Sequence, residues 1–232
     1  MVYDYGLNWL NQKELYNVTE HAFKKAIDAR FQTPKNPPDP FTLVAQAVIG
    51  NESLEKVLEF ETTRTINKTL SNNVGLWHQS VLSLAPKWEN LGANGGGIDL
   101  KMKAGLIDGR FQKPLVAEVK NRFNTIKASD EKALWDKLDL VSKTHGAVAY
   151  VFQIVPKTAN RYDCPWKVSG RTEKETIRCC DGATAYDMVF KRKGALYDIY
   201  KALPEILSDI LNHKSNLETD IAKEIFYKSI PF

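Results

Sequence analysis

Cysteine is scarce in this chain: three residues in 232, at Cys164, Cys179 and Cys180. The count is odd and no C-x-x-C spacing occurs, so neither a disulfide framework nor a finger-type zinc site is read. Free, partly buried thiols are the ordinary reading. Long apolar runs are also missing; none approaches the ~20 residues of a membrane span. The opening Met-Val-Tyr-Asp-Tyr-Gly has no basic segment followed by an apolar one, which is not the pattern of a signal peptide. The expectation is a cytoplasmic protein with no membrane partner. There is no internal repeat, low-complexity tract or interdomain linker. Neither charge sign dominates: Lys and Arg number 32 against 28 Asp and Glu, a net +4 that permits a nucleic-acid partner without demanding one.

What is present is an ample core, with 43% hydrophobic and 10% aromatic residues. The length suits one domain. Within residues 1–232 we distinguish a helical segment and proline-rich connector at 1–40, a core at 41–211 and a last helix at 212–232. Residues 7–31 carry a loose helical stripe of Leu10, Leu15, Val18, Phe23 and Ile27. Thr33 to Pro40 holds four prolines and is a stiff connector. Phe41 to Ile49 reads as a short helix, and Asn51 or Ser53 caps a longer one to about Leu70. On that helix Leu54, Val57, Leu58 and Glu61 fall at i, i+3, i+4 and i+7, which puts a carboxylate in the apolar stripe. Glu61 then needs a partner. Arg64, at i+3, supplies one; the alternative is that Glu61 faces an active centre. Asn72-Asn73-Val74-Gly75 reads as a turn into a second helix bearing Trp77, His78 and Gln79. His78 is either a hydrogen-bonded core residue, a phosphate contact or a general base.

The most informative stretch is Gly95 to Lys127. Ile98, Leu100 and Met102 alternate with Asp99, Lys101 and Lys103; Leu115, Ala117 and Val119 alternate with Val116, Glu118 and Lys120. Period two argues for half-buried strands. Gly105 and Asp108-Gly109 supply the turn between them. Glu118 and Lys120 share a face, and a hairpin brings Asp99 beside them. Two carboxylates suffice to hold Mg²⁺ against a phosphate. A neighbouring lysine can orient a water or stabilise developing charge.

Further on, Ser129 with Asp130-Glu131 opens a helix with Leu134, Trp135, Leu138 and Val141 on its apolar face. Ala147 to Val155 is a strand buried on both faces. Hairpin, helix and buried strand make an α/β sheet with a crossover helix. Arg161 to Thr176 is a long loop or edge hairpin, and Ile177 to Cys180 a short strand. Helices at 183–190, 195–211 and 217–227 complete the chain, with Pro204 marking the start of a new helix inside the second.

Asp99 followed at a distance by Glu118-x-Lys120 resembles the signature of the PD-(D/E)XK nucleases, with Ile98 where the nominal motif has proline. A wider resemblance runs through the Glu61 helix, Asn73-x-Gly75-x-x-His78-Gln79, Gly97-x-Asp99-Leu100 and Glu118-Val-Lys-Asn-Arg-Phe-Asn-Thr125. Tyr186, Gly194 and Ala195-Leu196 extend it. These segments are similar to type II restriction endonucleases, in particular the subfamily cutting at GGNCC-type sites. Phe123 departs from the polar residue expected in that loop. The resemblance implies a restriction-endonuclease-like mixed central sheet flanked by helices, with helical N- and C-terminal segments. It also implies a homodimer cutting both strands of a short palindrome with Mg²⁺, or Mn²⁺ in its place.

The expected assignments are Asp99 and Glu118 on the metal with the Val119 carbonyl as third ligand, and Lys120 on the attacking water. Glu61 is held as a further catalytic candidate. Asn121, Arg122, Asn124, Thr125 and Lys127, with His78 and Gln79, are expected to contact double-stranded DNA. Two other readings stay open: a structure-selective or repair nuclease of the same fold, and a non-catalytic DNA-binding protein.

Overall fold

In a computed structural model, residues 3–29, 39–92 and 98–231 are described. Most of the proline-rich connector and the glycine run before Ile98 lie outside them. Six strands form one mixed sheet: β1 (Trp88–Asn90), β2 (Leu100–Met102), β3 (Leu115–Arg122), β4 (Val148–Val155), β5 (Asp163–Pro165) and β6 (Ile177–Asp181). Their spatial order is β1-β2-β3-β4-β6-β5. The β1–β2, β2–β3 and β5–β6 pairs are antiparallel, whereas β3–β4 and β4–β6 are parallel. The parallel centre is the region buried on both faces, as the apolar run at 147–155 requires.

Helices cover both faces. On one side α4 (Ala128–His145) sets Trp135 and Leu138 against Val116, Ala149, Val151 and Ile177. On the other, α1 (Gln12–Ala29), α3 (Leu54–Leu82), α5 (Gly182–Phe190) and α6 (Ala195–Leu211) bury Leu115, Ala117, Tyr150, Phe152 and Ile154. α2 (Pro40–Gly50) lies against α3, and α7 (Thr219–Ser229) adds Phe226 to this second core. The architecture is the mixed sheet with helical flanks and ends that the sequence led us to expect.

Several local expectations need correction. Asn72 to Gly75 is no turn: α3 continues through it for 29 residues. The burial of Asn73, Trp77, His78, Val81 and Leu82 along one helix outweighs the turn preference of Asn and Gly. Pro204 starts no new helix but sits inside α6, held there by the packing of Leu196, Ile199, Ala202 and Ile206. α1 begins at Gln12 rather than residue 7, and α4 is capped at Lys127, Ser129 instead bonding Asp130. β1 was not foreseen. Ser53 does cap α3, accepting from the Lys56 amide, while Asn51 takes the left-handed C-cap of α2.

The junction of β6 and α5 shows how tightly the scaffold is built. Asp181 caps α5 through the Thr184 amide and also accepts from Tyr162 N. Gly182 follows it against β4, where a β-carbon would stand 2.3 Å from the Ile154 carbonyl oxygen. Only glycine fits so close a backbone approach.

Candidate active site

The site lies where β2 enters the sheet beside the outer half of β3. Leu100 pairs with Ala117 and Lys101 with Val116. Asp99, one residue before β2, stays bonded to β3: its amide donates to the Ala117 carbonyl at 3.0 Å. Its side chain turns onto the next peptide, with Oδ2 accepting the Val119 amide at 2.7 Å. Along β3, Ala117 and Val119 enter the larger core and Val116 enters the core under α4. Glu118 and Lys120 therefore project on the α4 side. Burial declines here, from Glu118, still buried, to Lys120, half-buried, and Arg122, exposed. The Lys120 ammonium donates to Glu118 Oε1 at 2.6 Å.

Burial pushes the Asp99 carboxyl up to about 6, and the neighbouring Glu118 carboxylate adds to the rise. The Val119 amide, Lys120 and Lys137 on α4 oppose it but do not cancel it. A cation placed between two adjacent carboxylates would offset their mutual repulsion. Among the described residues no group of three or more His, Cys, Asp or Glu could hold a metal. The residues present nonetheless fit Mg²⁺, which is bound by one or two carboxylates and keeps several waters.

The sequence matches the family model of the Eco47II restriction endonuclease over residues 7–212. It is 31% identical over 223 residues to the type II restriction enzyme Eco47II of Escherichia coli, covering 90% of this chain and 89% of that protein. It is 26% identical over 192 residues to the type II restriction enzyme Sau96I of Staphylococcus aureus, covering 78% and 69%. The chain belongs to the Eco47II restriction endonuclease family. With it comes the type II restriction endonuclease class, a DNA-binding hydrolase of the PD-(D/E)XK kind. Among the described residues no helix is long and apolar enough to cross a membrane.

The Eco47II-family chain does not gather every expected residue at this point. Asn121 and Arg122 end β3, and a 3₁₀ turn, Phe123–Thr125, follows directly. Thr125 Oγ1 donates to the Arg122 carbonyl at 2.7 Å and fixes that turn. Arg122, Asn124 and Lys127 are exposed, whereas Asn121 is half-buried. Gly75 of α3 approaches Asn121, where a β-carbon would meet the Asn121 Cβ at 3.8 Å. α3 thus passes the end of β3 one turn before His78 and Gln79.

His78 faces the core. Its Nδ1 lies 2.7 Å from the Tyr186 hydroxyl, and burial lowers its pKa to about 3. Gln79, next to it, is half-buried. Glu61 sits 14 residues before Gly75, roughly 20 Å along the helix at 1.5 Å per residue. Arg64 Nε lies 3.0 and 2.8 Å from its two oxygens, and Gln46 of α2 donates at 3.3 Å. Arg64 holds the Glu61 carboxyl below the usual carboxylate range. The local pairing expected from the i+3 spacing is therefore the one observed.

One neighbour of Lys120 was not singled out in the sequence. The parallel register of β3 and β4 sets Gln153 beside Lys120, and Gln153 Oε1 accepts the Tyr162 hydroxyl at 2.7 Å. Its signal was available: Gln153 is the single amide in the otherwise apolar run from Ala147 to Val155.

Proposed function

We propose that this chain is a Mg²⁺-dependent type II restriction endonuclease that hydrolyses both strands of double-stranded DNA. Its site is a short palindrome of the GGNCC kind, and it acts as a homodimer. The observation that carries the reading is the convergence of Asp99 and Glu118 with Lys120 at one end of the sheet, in a chain of this family. The three free cysteines suit a reducing prokaryotic cytoplasm.

In this reading Asp99, Glu118 and the Val119 carbonyl hold the ion, for which Mn²⁺ can substitute. The bound ion supplies Lewis-acid stabilisation of the charge that builds on the scissile phosphate. Asp99 is fixed by the Val119 amide, so its carboxylate needs no reorganisation when the substrate arrives. Lys120 is a point charge on a flexible stem, aimed by Glu118 to the rim of the site. From there it orients the attacking water and offsets negative charge on the phosphate. Arg122, Asn124, Thr125 and Lys127 line the path beyond, where phosphates and base edges pass. Asn121 supports that segment from β3. A two-fold protein on a two-fold site places one such centre at each strand.

Digestion of a supercoiled plasmid tests this. Discrete bands with Mg²⁺ or Mn²⁺, and none in excess chelator, are expected. Diffuse cutting, or cutting confined to branched or damaged DNA, would favour a structure-selective nuclease of the same fold. No cutting with any divalent ion would overturn the reading.

A further inference from the structure

α4 carries three lysines, and they divide between its two flanks. At about 100° per residue, Lys132, Asp136, Asp139 and Lys143 fall within about 60° of one another. This flank faces the segment leading into β6. Arg171 bonds Asp136, Lys174 bonds Asp139, and a β-carbon at Gly170 would stand 3.6 Å from the Lys132 ammonium. Lys137 lies about 100–160° round the helix from these four. Leu134, Leu138 and Val141 pack onto the sheet in the arc between. Lys137 therefore edges the opposite flank, over β3 and towards β2. It also comes level with the carboxylates. As a crossover helix, α4 runs back along β3: the helix descends about 13.5 Å from Ala128 to Lys137, and the strand about 13 Å from Arg122 to Glu118. Lys137 is half-buried, yet among the described residues it makes no ion pair or side-chain hydrogen bond. Its charge is felt at Asp99: burial and then Glu118 raise that carboxyl, and the Val119 amide, Lys120 and Lys137 oppose the rise.

We propose that Lys137 is a second cation of the reacting centre, contacting a phosphate oxygen of the DNA strand being cut. The inference rests on the nuclease reading and adds a group that β2 and β3 cannot supply, because α4 brings it to the site from above the sheet. In the free protein Lys120 donates to Glu118, and Lys137 stands on the Asp99 side of the pair. Once a divalent cation engages the two carboxylates, the Lys137 ammonium loses its counter-charge. A half-buried ammonium without an acceptor is costly. A substrate phosphate is the anion that restores one. Lysine is a compact charge on a flexible stem, which suits a phosphate oxygen better than a base edge, read by bidentate groups. Lys120 from β3 and Lys137 from α4 then face the charge that builds on the phosphate from two directions. A lysine that merely offsets carboxylate repulsion would leave cleavage intact when lost.

Lys137→Met in the full chain tests this, with Lys143→Met on the other flank of α4 as control. At saturating Mg²⁺, single-turnover cleavage by Lys137→Met is expected to fall about a hundredfold, the scale of one lost charge-stabilising donor. In Ca²⁺ its binding to a duplex that the wild type cuts should weaken, with a salt slope lower by about one unit. Mn²⁺ binding to the DNA-free variant, read by calorimetry, should tighten severalfold because a like charge has left the site. Lys143→Met should match the wild type in all three. Should Lys137→Met fail to fold, Lys137→Gln, which keeps a polar tip without the charge, gives the same comparison. Wild-type cleavage by the folded variant overturns the proposal, since Lys137 then only offsets the carboxylates. So does lost cleavage with an unchanged salt slope, which would place Lys137 behind the carboxylates and off the phosphate. Unchanged Mn²⁺ affinity would place it away from the site altogether and overturns the proposal too. A wild type that neither binds nor cuts DNA overturns the functional reading and this inference with it; a wild type that cuts beside an equally active Lys137→Met overturns this inference alone.

Discussion

Asp99 Oδ2 accepts the backbone amide of Val119 at 2.7 Å, so a loop carboxylate is fixed against the strand that carries Glu118 and Lys120. Together with the Asp99 amide on the Ala117 carbonyl, that bond ties two separate sequence segments into one site. It also holds Asp99 where burial and Glu118 disfavour its charge.

The cost of that placement is measurable. Asp99 is raised from 3.8 to about 6, so the native state binds its proton more tightly than the unfolded chain. Its contribution to stability is present below about 3.8, is lost as pH rises through about 6, and stays lost above. Asp99→Asn removes the charge and can still accept from Val119. In chelator near neutral pH it is expected to stabilise the fold by about 1–3 kcal/mol. Urea unfolding of wild type and variant checks this; a variant less stable than wild type would contradict it.

The grouping of Asp99, Glu118 and Lys120 is legible in the sequence because it rests on period-two alternation in two runs joined by turn residues. What lies across the sheet is not legible. Gln153 stands beside Lys120 only through the register of β3 on β4, which no local pattern encodes. The continuity of α3 is hidden for a related reason: Asn72 to Gly75 has turn chemistry, and tertiary burial of Trp77 and Leu82 overrides it. β1, three residues long, is too short to show a period. Pro204 misleads because its helix is held by its apolar face rather than by propensity.

His78 carries a second pH dependence of opposite sense. Its folded pKa of about 3 lies below the ordinary 6.5, so the unfolded chain takes up the proton first on acidification. Stability should be intact above about 6.5 and fall as pH drops towards about 3, by up to about 1.4 kcal/mol per unit from this group. His78→Gln should flatten that slope between neutral pH and pH 5. Equal slopes in wild type and variant would mean that His78 titrates normally, and so does not sit buried against Tyr186.

Glu61 separates a structural role from a catalytic one. Paired to Arg64 and Gln46 in the α2–α3 hairpin, it is expected to matter for that hairpin alone. Glu61→Gln should lower thermal stability slightly and leave the specific activity of folded protein near wild type. A variant with unchanged melting and cleavage reduced by orders of magnitude would place Glu61 at the reacting centre instead.

The exposed segment after Lys120 is testable through salt. If Arg122 and Lys127 bind phosphates, each Ala variant should weaken binding to all duplexes alike and reduce the salt slope by about one unit. If Arg122 reads a guanine, its loss should relax discrimination at one base pair by about 1–3 kcal/mol. Asn121→Ala and Asn124→Ala should act with little change in slope, since neither side chain is charged. Binding in Ca²⁺ to matched and singly substituted duplexes over a salt series distinguishes these outcomes. Four unaltered variants would move recognition away from this segment.

The most direct measurement is cleavage by Glu118→Ala alongside its binding. With Mg²⁺ the folded variant is expected to lose cutting by several orders of magnitude, because metal and charge stabilisation dominate phosphate hydrolysis. In Ca²⁺ it should still bind DNA measurably, as Arg122 and Lys127 are untouched. A folded Glu118→Ala protein that cuts plasmid at near wild-type rate would show that the carboxylate pair at the end of β3 is not the catalytic centre.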